Sequence, residues 1–126
     1  MRFVIAILFA GLLSASPLLA AEGDISLAGQ VLLRIRYPAA GYTVAQRADA
    51  VQSRLNATLT MPGVGSGDVA VKMVGKEAAV YVRSQLIITA DSTTAKFNQT
   101  TPAKLAAAWA ANLRKALPLA SHRQRG

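Results

Sequence analysis

Apolar and polar residues alternate with period two through several stretches of this chain, and recur with helical period through two more. From Gln30 to Tyr37, the residues Val31, Leu33, Ile35 and Tyr37 alternate with Gln30, Leu32, Arg34 and Arg36. That pattern predicts a strand with one apolar face. Pro38 stops ladder donation and Gly41 supplies a turn. Thr43 stands as an N-cap, with Gln46 three residues on completing a capping-box pattern. Val44, Ala48, Val51 and Leu55 then form the single apolar stripe of a helix over 44–57. Arg47 and Arg54 share one flank of that stripe, and Asp49 lies nearly opposite it.

Residues 56–67 collect Thr, Pro and Gly and predict a loop. Strands follow over 68–74 and 77–83, joined at Gly75-Lys76, a hairpin turn pattern. Arg83-Ser84 makes a second tight connection, to a strand over 85–89, so the three form a meander. Asp91 or Ser92 caps a short helix carrying Ala95 and Phe97. Thr101 caps the last helix, Pro102 opens it, and Leu105, Trp109, Leu113 and Leu117 repeat every four residues. Pro118 is expected to end it. Residues 22–28 read as a short lead-in.

This order predicts an α+β domain: an antiparallel-rich sheet of about four strands with two main helices on one face. The helices would cover Val31, Leu33, Ile35, Val69, Val71, Val80, Val82, Leu86 and Ile88, with Trp109 in the core. By alternation the other face would present Arg34, Arg36, Lys72, Tyr81 and Arg83, which makes it the candidate binding surface. Arg47, Arg54 and Asp91 form a second group with a structural or binding role. Arg47, beside the helix start, is placed to reach the Gly41 turn or a carboxylate such as Asp91.

Ahead of the domain, Arg2 precedes an apolar run from Phe3 to Leu13 and small residues through Ala21. A basic start, a short apolar core and a small-residue exit predict a signal peptide over 1–21. The domain then occupies 22–118, and 119–126 is a flexible basic tail. The expected location is periplasmic or otherwise exported, membrane-anchored if the signal is retained. At 126 residues there is room for one domain. The absence of cysteine excludes disulfides, thiolate metal sites and a cysteine nucleophile.

The formal net charge of +8 favours acidic partners, either a membrane protein or an anionic component of the envelope. Export argues against nucleic acid. The lone histidine, His122, lies in the tail, where nothing would hold it as a catalyst or ligand. The six carboxylates are scattered without metal-ligand spacing, and Gly63, Gly65 and Gly67 lead into a strand rather than a helix. No catalytic residue, metal or cofactor is expected. The sequons Asn56-Ala57-Thr58 and Asn98-Gln99-Thr100 matter only in a glycosylating pathway.

One resemblance is carried by Gly29-x-x-Leu32-x-x-Ile35, the Gly41-x-Thr43 turn and Arg47-Ala48-x-x-Val51-x-x-Arg54-Leu55. It continues through Ile87-Ile88-Thr89-x-Asp91, Pro102-x-x-Leu105-Ala106-x-x-Trp109 and Leu113. These segments resemble the extracytoplasmic domain found ahead of the membrane helices in some bacterial relatives of the small-conductance mechanosensitive channel. Gln46 departs from the usual Glu and Ser92 from the usual Ala. The channel's pore-forming helices are not among these residues, so the resemblance implies location and fold, not conduction. The sequence thus points to an exported, non-enzymatic interaction module of the cell envelope. The alternative is a small ligand-binding or hydrolytic domain whose site is assembled from scattered polar residues. Open strand edges also admit a homo-oligomer.

Overall fold

Five strands, three α-helices and a 3-10 turn at Ser66–Asp68 form the regular structure of the described residues, 22–125, of the computed structural model. The signal expected over 1–21, and Gly126 of the expected tail, lie outside the described residues. The chain is α+β, but its strands form two antiparallel sheets, one of two strands and one of three. Strands β1 (Asp24–Leu27) and β2 (Gln30–Arg34) make a ribbon, and β3 (Val69–Val74), β4 (Glu77–Val82) and β5 (Gln85–Ala90) make a meander in that order. Helices α1 (Val44–Thr58) and α3 (Pro102–Arg125) pack on both sheets, and α2 (Ser92–Phe97) is a short helix of six residues between β5 and α3.

The expected single sheet of four strands is therefore corrected. The segment read as a lead-in supplies the missing strand: Ile25 and Leu27 are buried while Asp24 and Ser26 are half-buried. Ala28 and Gly29 close the ribbon with positive φ at both residues, 52° and 78°. That is the handedness a tight antiparallel hairpin prefers. With β1 as its partner, β2 has no need of the meander. The ribbon closes further along, where the Ile35 N–H donates to the Gly23 carbonyl at 2.8 Å. A Cβ at Gly23 would stand 1.9 Å from the Ile35 oxygen, so only glycine allows this approach.

Strict alternation fails twice, at a bulge in each sheet. In the ribbon Ile25 faces Leu33 and Ser26 faces Val31, which leaves Leu32 unpaired. The extra residue turns Leu32 inward, at 5% exposure, and Val31 outward, at 45%. The expected inward position of Val31 is thus reversed. In the meander Val80 faces Ile88 and Tyr81 faces Leu86, so Ile87 is the extra residue. Ile87 and Ile88 are both buried, and Leu86, expected inside, is half-buried. Ile25, Leu32, Leu33, Val51, Leu55, Val80, Ile87, Ile88, Trp109 and Leu113 surround one small gap of about 10 Å³, so both sheets and both long helices share a core.

The capping of α1 forms as the spacing predicts. The Gln46 N–H donates to Thr43 Oγ1 at 3.1 Å and the Thr43 N–H donates to Gln46 Oε1 at 3.0 Å. The expected end of the last helix at Pro118 is corrected, because α3 runs on through Pro118 to Arg125. Proline removes one intrahelical hydrogen bond. Leu117 and Ala120, on either side of it, are buried and hold the helical path.

Candidate functional site

Three of the eight residues picked out from the sequence are already matched to a carboxylate. Arg34 Nε lies 3.2 Å from Asp24 Oδ1 across the ribbon. Arg83 occupies the β4–β5 turn with φ of 56°; its Nε is 3.2 Å from Asp68 Oδ1 and its Nη2 donates to the Pro62 carbonyl at 2.7 Å. The Arg83 guanidinium, and then the Gly65 N–H donating to Asp68 Oδ2 at 2.9 Å, hold the Asp68 carboxyl below its ordinary value of 3.8. Arg83 is thus a clip on the loop ahead of β3. The third is Arg47, paired with Asp91.

The composite basic sheet face is accordingly corrected. Arg34 and Arg36 belong to the ribbon side and Lys72, Tyr81 and Arg83 to the meander, on separate sheets. Of that set only Lys72 and Tyr81 meet, with the ammonium 5.1 Å from the ring centroid. Arg36 is exposed just past the end of β2.

Arg47, Arg54 and Asp91 converge. Arg47 is only 8% exposed, and its guanidinium is engaged on three sides. Nη2 lies 3.1 Å from Asp91 Oδ2, while Nη1 donates to Thr94 Oγ1 and to the Tyr37 carbonyl, each at 3.2 Å. Asp91 is also the N-cap of α2, its Oδ1 accepting the Thr94 N–H at 2.7 Å. One arginine thereby ties the β2–α1 connection, α1 and α2 into a single knot, using the planar fork that lysine lacks. Seven residues along the same helix flank, Arg54 Nη1 donates to the carbonyl of Ile87, the bulged residue, at 3.3 Å.

Between this flank of α1 and the free side of β5 runs an open groove of about 620 Å³. Arg47, Ala50 and Arg54 form one wall and Leu86, Ile88 and Thr89 the other. The loop at 38–42, with Tyr42 half-exposed, and the side chain of Glu77 flank the Asp91 end. Ala50 stands between the two arginines, and its small side chain opens the wall.

Sequence reasoning missed the residues that complete this surround. Glu77 carries no local signal, since only the register of the meander brings it to the groove, whereas Ala50 follows from helical spacing, three residues after Arg47 and four before Arg54. Gln52 was also missed: its side-chain amide accepts from the Ser26 N–H at 3.0 Å and donates to the Ser26 carbonyl at 2.9 Å, closing the outer edge of β1. Its position beside the apolar stripe of α1, one residue after Val51, was the one available hint. Among the described residues no group of three or more His, Cys, Asp or Glu side chains is placed to hold a metal ion, and no helix is long and apolar enough to cross a membrane.

A family model described as Domain of unknown function (DUF8459) matches residues 24–120, which takes in both sheets, α1, α2 and most of α3. No curated protein and no solved structure matches the chain.

Proposed function

The chain belongs to the DUF8459 domain family, and from that premise we propose that it is an exported, non-enzymatic interaction module of the cell envelope that docks on an anionic surface through α3. One observation carries this reading: the segregation of charge along the fold. All six carboxylates lie between Glu22 and Asp91, and α3 contains none. Residues 22–101 hold eight Lys and Arg against those six acids, whereas α3 holds five Lys and Arg. Of the net positive charge after residue 21, most therefore sits on one helix.

On the outer face of α3, Lys104 and Lys115 are exposed, with Ala107, Ala108 and Ala111 between them and Leu119 half-exposed beyond. This face lies opposite the stripe of Ala106, Ala110, Leu113 and Leu117 that enters the core. At 1.5 Å per residue such a helix is about 36 Å long, a convex cationic ridge suited to a flat partner. An anionic bilayer supplies that shape and charge, each cation near it contributing about 1 kcal/mol. The apolar run at 3–13 and the resemblance to extracytoplasmic channel domains support the envelope as the setting.

The test is co-sedimentation with phosphatidylglycerol vesicles and with neutral phosphatidylcholine vesicles at low and physiological salt. Binding should be selective for the anionic vesicles and weaken as salt shortens the Debye length. Reversing both lysines (Lys104→Glu with Lys115→Glu) should reduce it by at least about tenfold. The pair Arg34→Glu with Arg36→Glu should have a smaller effect, because Arg34 is already neutralised by Asp24. Unchanged binding by the α3 variant, or equal binding to neutral vesicles, would overturn the reading.

A further inference from the structure

We propose that the groove between α1 and β5 is a second binding site, for an extended peptide segment carrying a carboxylate and a cation four residues apart. The inference is independent of α3 and rests on what lines the groove. Along it the charges fall in order. At one end the Arg54 guanidinium spends a single hydrogen bond on the Ile87 carbonyl, out of the five N–H donors an arginine possesses. In the middle Arg47 and Asp91 neutralise each other. At the other end Glu77 is half-buried, and its carboxylate makes no hydrogen bond or ion pair among the described residues.

The strand register sets the spacing of the two uncompensated groups. Arg54 sits at Ile87, and Glu77 adjoins Ala78, which faces Ala90, one residue before Asp91. Along β5 four residues therefore separate the two ends, roughly 13 Å at the usual rise of a strand, with Glu77 set one strand in from the free edge. In an extended segment, side chains four residues apart point to the same side. One such segment can thus direct a carboxylate to Arg54 and an ammonium to Glu77 at once.

The second feature is the floor. β5 has a hydrogen-bonded neighbour on one side only, so its other edge offers backbone groups along the groove. A strand edge walled by a helix recognises peptides in extended form, with backbone pairing for affinity and side-chain contacts for selection. The volume of about 620 Å³ lies within the range of sites that bury a ligand of several residues' reach. Leu86 and Ile88 supply apolar contact between the charged ends.

The experiment uses fluorescein-labelled peptides with the core Glu-Thr-Val-Thr-Lys and with the reverse order, titrated with the full chain and read by anisotropy. At least one order should bind saturably below about 1 mM. Replacing the peptide's Glu by Gln should weaken that binding about tenfold against the native protein, and not at all against Arg54→Gln. Replacing its Lys by Met should weaken binding to both. Circular dichroism establishes that Arg54→Gln is folded, and the peptide substitutions leave the protein untouched. Lack of saturable binding by either order would overturn the proposal. So would an equal cost of the Glu→Gln peptide on native protein and on Arg54→Gln.

Discussion

At Leu32 in the two-stranded ribbon and at Ile87 in the meander, the ladder slips by one residue. Each slip drives two consecutive apolar side chains toward the core, Leu32 with Leu33 and Ile87 with Ile88. Each carbonyl of the extra residue is then met by a side chain from a helix. Asn112 Nδ2 of α3 donates to the Leu32 oxygen at 2.8 Å, and Arg54 Nη1 of α1 donates to the Ile87 oxygen at 3.3 Å. A neutral amide making a short bond is a structural cap. A guanidinium making one long bond and keeping further donors beside an open groove stabilises less and remains available to something else. The same backbone irregularity is closed by a short bond at one site and by a longer one beside an open groove at the other.

The largest expected effects test whether both bulges direct the packing. Leu32→Ala and Ile87→Ala remove side chains that are 5% and 2% exposed, and each should cost about 2–5 kcal/mol in denaturant unfolding. Val31→Ala, at a position 45% exposed, should change stability by less than about 0.5 kcal/mol. An unbroken strand would give the opposite order for residues 31 and 32. A costly Val31→Ala beside a mild Leu32→Ala would remove the ribbon bulge from the comparison.

Those bulges also show why part of the fold was legible in the sequence and part was not. Signals complete within one turn of chain were readable. Thr43 and Gln46 start α1 where their spacing puts the cap, and Gly75 takes a positive φ of 65° in the turn between β3 and β4. Period-two alternation, by contrast, assumes an uninterrupted register, and a single extra residue inverts the sense of everything beyond it. In Gln30 to Tyr37 the one local mark is Leu32, apolar in an otherwise polar register, and a continuous strand tolerates such a residue as well as a bulge does.

Tertiary packing decided the other departures. β1 is four residues long and alternates only twice, so its partner had to be known before it could be read. Pro118 is a helix breaker locally, and the burial of Leu117 and Ala120 against the sheets outweighs it. The candidate site was legible in one part: the sequence put Asp91 among the groups within reach of Arg47, and the structure has them at 3.1 Å. The groove joins α1, β4 and β5, and no spacing along the chain encodes that meeting.

A middle-sized effect is expected at the ribbon's cap. Asn112→Ala leaves the Leu32 carbonyl without its donor and should cost about 1–2 kcal/mol. Asn112→Asp keeps the shape but sets a carboxylate against a carbonyl oxygen, so it should cost at least as much. Thermal or urea unfolding of the pair measures both. Equal stability of Asn112→Ala and the native chain would mean that water serves the Leu32 oxygen as well as the amide does.

The smallest effect separates the two bulges most sharply. Arg54→Ala removes a 3.3 Å hydrogen bond to a carbonyl beside an open groove, where water can take the donor's place. The polar loss is therefore less than at Asn112, and the stem of Arg54 adds only modest packing at a half-buried position. The expected cost is under about 1 kcal/mol, below that of Asn112→Ala measured under the same conditions. Arg54→Lys should fall between Arg54→Ala and the native chain, since an ammonium can still donate to the Ile87 oxygen but without the fork. A cost for Arg54→Ala matching or exceeding that of Asn112→Ala would mean that the guanidinium is committed to the fold. The Ile87 carbonyl would then be capped as firmly as that of Leu32, and the two bulges would be equivalent.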